Sequence, residues 1–176
     1  MTGKAGYTAS CACGQVTLEV IGAPILSAVC HCESCRLAGR AFEQAPGAPT
    51  VLNADGGTDY CLYRKDRVKI LQGGGLLQEH RLTPVSATRR VVASCCAAPM
   101  FLDFTKGHWL TLYRDRLPED APLPEMGVMA KDRPPGAALP DAIPTYPTYP
   151  THPAKFMIKL LVAWAAMGFR RPRVTW

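Results

Sequence analysis

Apolar and polar side chains alternate with a period of two through much of the first two thirds of the chain. Val16, Leu18 and Val20 are separated by Thr17 and Glu19, and the pattern returns at Met100, Leu102 and Phe104 and again at Trp109, Thr111 and Tyr113. Successive side chains of an extended backbone point to opposite faces, so these stretches predict half-buried strands. Tyr60 to Tyr63, Val68 to Leu71, Leu76 to Leu82 and Arg89 to Ser94 read as further antiparallel strands. Gly73-Gly74-Gly75 lacks the Lys-Ser/Thr and the helix that a phosphate-binding loop requires, so it reads as a turn. Pro46, Gly47 and Pro49 mark a loop, and Asn53 to Gly57 a second turn. The period lengthens in two places. Glu33 to Gly39 suits a short helix with Gly39 as its cap. Phe156 to Phe169 is apolar except for Lys159 and rich in Ala, Leu and Met, which predicts a longer one. Between them, residues 117–153 turn to Pro, Ala and Gly and end in Thr145-Tyr146-Pro147-Thr148-Tyr149-Pro150-Thr151-His152-Pro153. That three-residue repeat suits a polyproline II arm laid on the surface. The expected organisation is a mainly β domain over 1–116, a Pro-rich arm over 117–153 and a C-terminal amphipathic helix with a basic tail over 154–176.

Length and charge narrow the function classes. A chain of 176 residues can bury a core without disulfides. The net charge of +6 is scattered, with local pairs at Arg89-Arg90 and Arg170-Arg171 and no basic stripe interleaved with aromatics, so no nucleic acid is expected as a partner. No apolar leader follows Met1 and no apolar run is long enough to span a bilayer, so the expectation is a cytoplasmic protein without a transmembrane segment. Fourteen residues of helix cover roughly 21 Å, short of the ~30 Å hydrocarbon core. The C-terminal helix is therefore expected to pack on its own domain or on a second copy in a homodimer, with a membrane interface as the remaining alternative.

The cysteines change the picture more. Eight thiols in a chain of this kind point to metal binding or reactive thiols. Cys30-His31-Cys32-Glu33-Ser34-Cys35 sets three thiols within six residues. Such a run can bring three sulfurs to about 2.3 Å from one Zn²⁺ and leave one position open, as zinc sites that act on substrates do. A disulfide cluster or buried core cysteines are the alternatives, although three crowded thiols cannot all pair with one another. His31 could shuttle a proton or merely space the ligands, and Arg36 could offset sulfur charge, bind a carboxylate or sit solvated. Cys11 and Cys13, before Gly14, and Cys95 and Cys96 could supply four sulfurs to a second zinc, which would tie the first strand to a late one. Adjacent side chains diverge on an extended backbone, so Cys95 and Cys96 can share a metal only if the chain kinks there. Cys61, alone in a strand pattern, reads as a small buried hydrophobe.

In these motifs, Cys11-x-Cys13-Gly14, Cys30-His31-Cys32-x-x-Cys35-Arg36 and Cys96-Ala97-Ala98-Pro99-Met100, the chain resembles the glutathione-dependent formaldehyde-activating family, which shares its domain with centromere protein V. The resemblance covers roughly the first 115 residues and implies an Mss4-like zinc-binding β-fold of short antiparallel strands. It implies a structural zinc on Cys11, Cys13 and Cys96, with Cys95 standing in for the fourth ligand because the family's preceding ligand position holds Ala93. It implies a catalytic zinc on Cys30, Cys32 and Cys35, hence one or two Zn²⁺ per chain. Ala97 replaces the family's usual glycine, which suggests a different turn. The activity implied is a carbon-sulfur lyase acting on a small thiol or a thiol-aldehyde adduct such as S-hydroxymethylglutathione. The reading set against it is a non-catalytic zinc module that binds a protein or a membrane surface through its arm and helix.

Overall fold

The structure, a computed structural model, describes residues 6–137, 143–148 and 154–176. The alternating segments form the expected strands, and two sheets result. The smaller is antiparallel and consists of β1 (Gly6–Ser10), β2 (Thr17–Ile21) and β5 (Val68–Gln72) in the order β1-β2-β5. The larger holds β3 (Leu26–Cys30), β4 (Thr58–Arg64), β6 (Leu77–His80), β7 (Thr88–Ala93), β8 (Ala98–Phe104), β9 (Trp109–Tyr113), β10 (Gly127–Val128) and β11 (Thr145–Tyr146). Its order is β11-β10-β3-β4-β9-β8-β7-β6, antiparallel from β3 onward and parallel at the β10 and β11 edge. The fold is mainly β, with a helix near the C-terminus.

The larger sheet is covered on both faces, and this divides the core in two. On one face Cys61, Tyr63, Val91, Met100, Phe101 and Leu112 pack with Leu18 and Val20 of the smaller sheet. On the other, Leu26, Ala28, Cys30, Tyr60, Leu62 and Tyr113 pack beneath α1 (Glu33–Glu43), the arm and α2 (Ala154–Ala165). Double coverage explains why β3 does not alternate: all five of its residues are buried.

Helix α1 runs to Glu43 and not to Gly39, correcting the sequence reading. Gly39 lies inside it, where a Cβ would come within 2.5 Å of Leu52 Cδ2, so the glycine serves close packing and not capping. Cys35, Ala38, Gly39 and Phe42 form its buried face, spaced as a helix requires. Glu33 in the first turn suits the helix dipole, and Glu43 Oε1 accepts from the amides of Val51 and Leu52 at 2.7 and 2.8 Å, which fixes the chain just beyond the helix.

The arm does more than lie on the surface. Val29 N donates to Met126 O and His31 N to Val128 O, both at 3.0 Å, so β10 extends the sheet beside the cysteine run and buries Met126, Val128 and Met129. Thr145–Tyr146 of the proposed polyproline repeat is β11, and Tyr149 to Pro153 lies outside the described residues. Helix α2 lays Phe156, Leu160, Ala163, Trp164 and Met167 of the segment on the body, while Lys159 Nζ meets Glu125 Oε1 at 2.5 Å. Its helical part ends at Ala165, four residues before the expected limit. The opposite side leaves Met157, Ile158, Leu161 and Val162 exposed. Beyond the helix the chain returns to the smaller-sheet side, where Trp176 meets Phe101 edge-on with ring centroids 5.6 Å apart. Among the described residues no helix is long and apolar enough to cross a membrane.

Candidate metal centres

The first cluster joins the two sheets. Cys11 follows β1, and the chain turns back at once, with Gly14 N donating to Cys11 O at 3.1 Å and Gly14 at φ 77°. The amide of Val16 then donates to Cys11 Sγ at 3.3 Å, a bond that favours the thiolate. Across from it, Ser94 to Ala97 form the turn between β7 and β8, with Ala97 at φ 53°. That turn is the kink required of neighbouring cysteines. It brings Cys95 Sγ to 3.8 Å from Cys11 Sγ and 3.3 Å from Cys13 Sγ, with Cys96 Sγ 4.0 Å from Cys95 Sγ. A tetrahedron with 2.3 Å metal-sulfur bonds has edges of about 3.8 Å, so four soft donors at these separations fit one thiophilic ion. Burial raises the Cys11 thiol, but the Val16 amide and the three neighbouring thiols outweigh it and bring it down to about 7. Cys95 is pushed up to about 12 by desolvation and by the thiols of Cys13 and Cys11.

The second cluster sits where β3 passes into α1. Cys30 ends the strand, Cys32 occupies the position before the helix and Cys35 lies in its first turn, with Cys35 N donating to Cys32 O at 3.0 Å. Their three sulfurs all lie within 4.8 Å of one another and no fourth His, Cys, Asp or Glu among the described residues joins them. All three are buried. Hydrogen bonds from the Cys30 and Cys35 thiols pull Cys32 down to about 2. Cys30 is raised by its bonds to Cys32 and Cys35 and by burial. Cys35 stands at about 11: its bond with Cys30 pulls downward, but Cys32 and desolvation win. Metal binds cysteine as thiolate, so a cation at this centre would release thiol protons.

Around this cluster the structure separates what the sequence left together. His31 is fully buried and away from the sulfurs, its Nε2 3.0 Å from Asp55 Oδ2, while Asp55 Oδ1 accepts from Gly57 N at 2.9 Å. Arg36 turns to the arm and donates to the Asp132 carbonyl. Three neighbours had no motif to announce them. Burial and the charge of nearby Cys35 push the Tyr60 phenol up, Tyr113 meets Tyr60 edge-on at 5.1 Å, and Arg90 Nη2 donates to Ser34 O at 3.2 Å. Ser34 Oγ in turn lies 3.3 Å from Cys32 Sγ. The signal available for Arg90 was alternation: in a strand covered on both faces, Arg89 and Arg90 must point to opposite sides, so the pair cannot both be a surface patch.

Two cysteine clusters of four and three sulfurs coincide with a match to the family model described as glutathione-dependent formaldehyde-activating enzyme over residues 6–113. The chain belongs to that family. The match spans β1 through β9 and includes both clusters. No curated protein matches the chain. A crystal structure of a Rhodobacter sphaeroides protein is similar with a TM-score of 0.47 and 13% identity, over 65% of this chain and 91% of that one. The clusters can hold metal ions of the kind the family uses, and their inequality is chemical: four sulfurs close a tetrahedral site, whereas three leave a position for an exchangeable ligand.

Proposed function

We propose that this protein is a zinc-dependent carbon-sulfur lyase that forms or cleaves small thiol-aldehyde adducts of the S-hydroxymethylglutathione class. Cys30, Cys32 and Cys35 would hold the catalytic zinc, and Cys11, Cys13, Cys95 and Cys96 a structural one. The observation that carries the reading is the contrast between the clusters: three converged, buried sulfurs without a fourth ligand, beside four that complete their own set. Bound there, zinc supplies a Lewis acid and favours the ionised form of an incoming thiol.

In the forward direction the thiol sulfur bonds to the carbonyl carbon, the carbonyl π bond opens, and the proton that leaves sulfur ends on oxygen; cleavage is the reverse, and neither direction changes oxidation state. This chain's own side chains set the surroundings of that exchange. Cys30, Cys32 and Cys35, each less than a tenth exposed, and the covering arm with Met126 and Met129 exclude water. Ser34 Oγ, 3.3 Å from Cys32 Sγ, would hold the orientation of that ligand. His31 is held by Asp55, its Nε2 3.0 Å from Oδ2.

The test is metal analysis followed by a thiol panel. Cys32→Ser should lose one zinc of two, and wild-type protein incubated with formaldehyde and glutathione, cysteine or other small thiols should change the rate of adduct formation. Unchanged zinc stoichiometry in Cys32→Ser would remove the proposal. A second reading, a non-catalytic zinc module that docks on a partner, is favoured by the exposed Met157, Ile158, Leu161 and Val162 of α2. It predicts no thiol binding at millimolar concentration.

A further inference from the structure

Arg90 is a buried cation without a carboxylate partner among the described residues. It is 2% exposed, and no carboxylate among the described residues lies within ion-pair distance of it. Its Nε has no hydrogen-bond partner, and its Nη2 donates to the carbonyl of Ser34, between Cys32 and Cys35. In the sheet it stands opposite His80 of β6 and Leu102 of β8, and neither supplies an anion. An isolated ion in such a place is strongly destabilising, and buried charges persist when something offsets them. Arg89, its neighbour on the other face, shows the ordinary solution: it pairs with Asp103 and Glu79.

The charge missing around Arg90 is the charge in excess at the three-sulfur centre. Three thiolates around a divalent ion leave one net negative charge, and one guanidinium cancels it. Arg36, the cation nearest in sequence, is committed to the Asp132 carbonyl on the arm. We infer that Arg90 is the counter-cation of the Cys30, Cys32 and Cys35 metal centre, a positioning residue that sets how tightly this centre holds a divalent metal. The inference rests on the zinc reading of that cluster. It adds a residue from a strand far along the sequence, and it accounts for a buried guanidinium that packing alone leaves uncompensated.

The consequence is a metal affinity that depends on the charge at Arg90. Arg90→Gln should weaken zinc at the three-cysteine centre by roughly 10- to 100-fold, the range typical of residues that support metal ligands. The four-cysteine centre should hold its metal as in wild type. Arg90→Lys, which keeps the charge, should recover most of the affinity. The experiment is competition of zinc-loaded full-length wild type, Arg90→Gln, Arg90→Lys and Cys32→Ser against a chelator, with melting curves of loaded and metal-free forms; the four-cysteine centre is the internal control. Loss at the three-cysteine centre alone, with lysine rescue, would sustain the inference. Equal affinity in Arg90→Gln while Cys32→Ser loses zinc would overturn it and leave the zinc reading standing. Weakening of both centres together with a lower metal-free melting temperature would mark Arg90 as merely structural. If Cys32→Ser loses no zinc, the zinc reading falls and this inference with it.

Discussion

At the scale of single residues, Ala97 carries a side chain in a turn whose backbone favours glycine. It sits at φ 53°, a left-handed conformation that costs an L-residue with a Cβ about 1–2 kcal/mol. The turn persists because both Cys95 and Cys96 must face the same cluster. Ala97→Gly should therefore stabilise the protein by roughly 0.5–1 kcal/mol, the gain being reduced by the greater freedom of glycine in the unfolded chain. Chemical denaturation of zinc-loaded protein measures this directly, and a destabilised variant would show that the methyl group makes a packing contribution larger than the strain. The candidate ligands were legible at this scale because metal chemistry restricts residue type and spacing so tightly. Tyr60, Tyr113 and Arg90 were not, since they come near the cysteine run only when β4, β9, β8 and β7 lie side by side in the larger sheet.

At the scale of elements, periodicity found the strands that face solvent or one core and missed those without contrast. β3 is buried on both sides and reads as a featureless apolar run, and β1 follows a polar opening with only Ala9 fully inside. β10 and β11 are two residues each and lie within proline-rich sequence, where local propensity argues against any strand. Helix α1 was foreseen but ended too early, because a glycine near a helix end is so often a cap. Its interior role gives a sharp expectation. Gly39→Ala gains up to about 1 kcal/mol of helix propensity, but its new methyl would lie 2.5 Å from Leu52 Cδ2 and 2.7 Å from Cγ, and overpacking of this kind costs roughly 1–3 kcal/mol. Overpacking should win, and a second change, Leu52→Ala, should turn Gly39→Ala from harmful to neutral or favourable. A double-mutant cycle that shows simple additivity would remove the steric explanation.

At the scale of the whole molecule, the four-cysteine cluster is the bond between the two sheets outside their shared core. Cys11 belongs to the smaller sheet's first hairpin and Cys95 to the turn between β7 and β8 of the larger, 84 positions apart in the chain. A metal held by both ends would close that loop only in the folded chain, so its binding free energy would add to the folding free energy. The three-cysteine cluster closes no such loop, since its ligands lie within six residues. The two centres should therefore fail differently. Replacing Cys13, the most exposed of the four, by serine should lower the melting temperature and release hydrogen-exchange protection first in β1, β2 and β5, because their face of the core then depends on side-chain packing alone. Replacing Cys32 should remove metal with little effect on that sheet. If Cys13→Ser keeps the wild-type melting temperature and the protection of β1 and β2, the first cluster does not hold the sheets together, and the stability of this fold rests on the apolar layer between them.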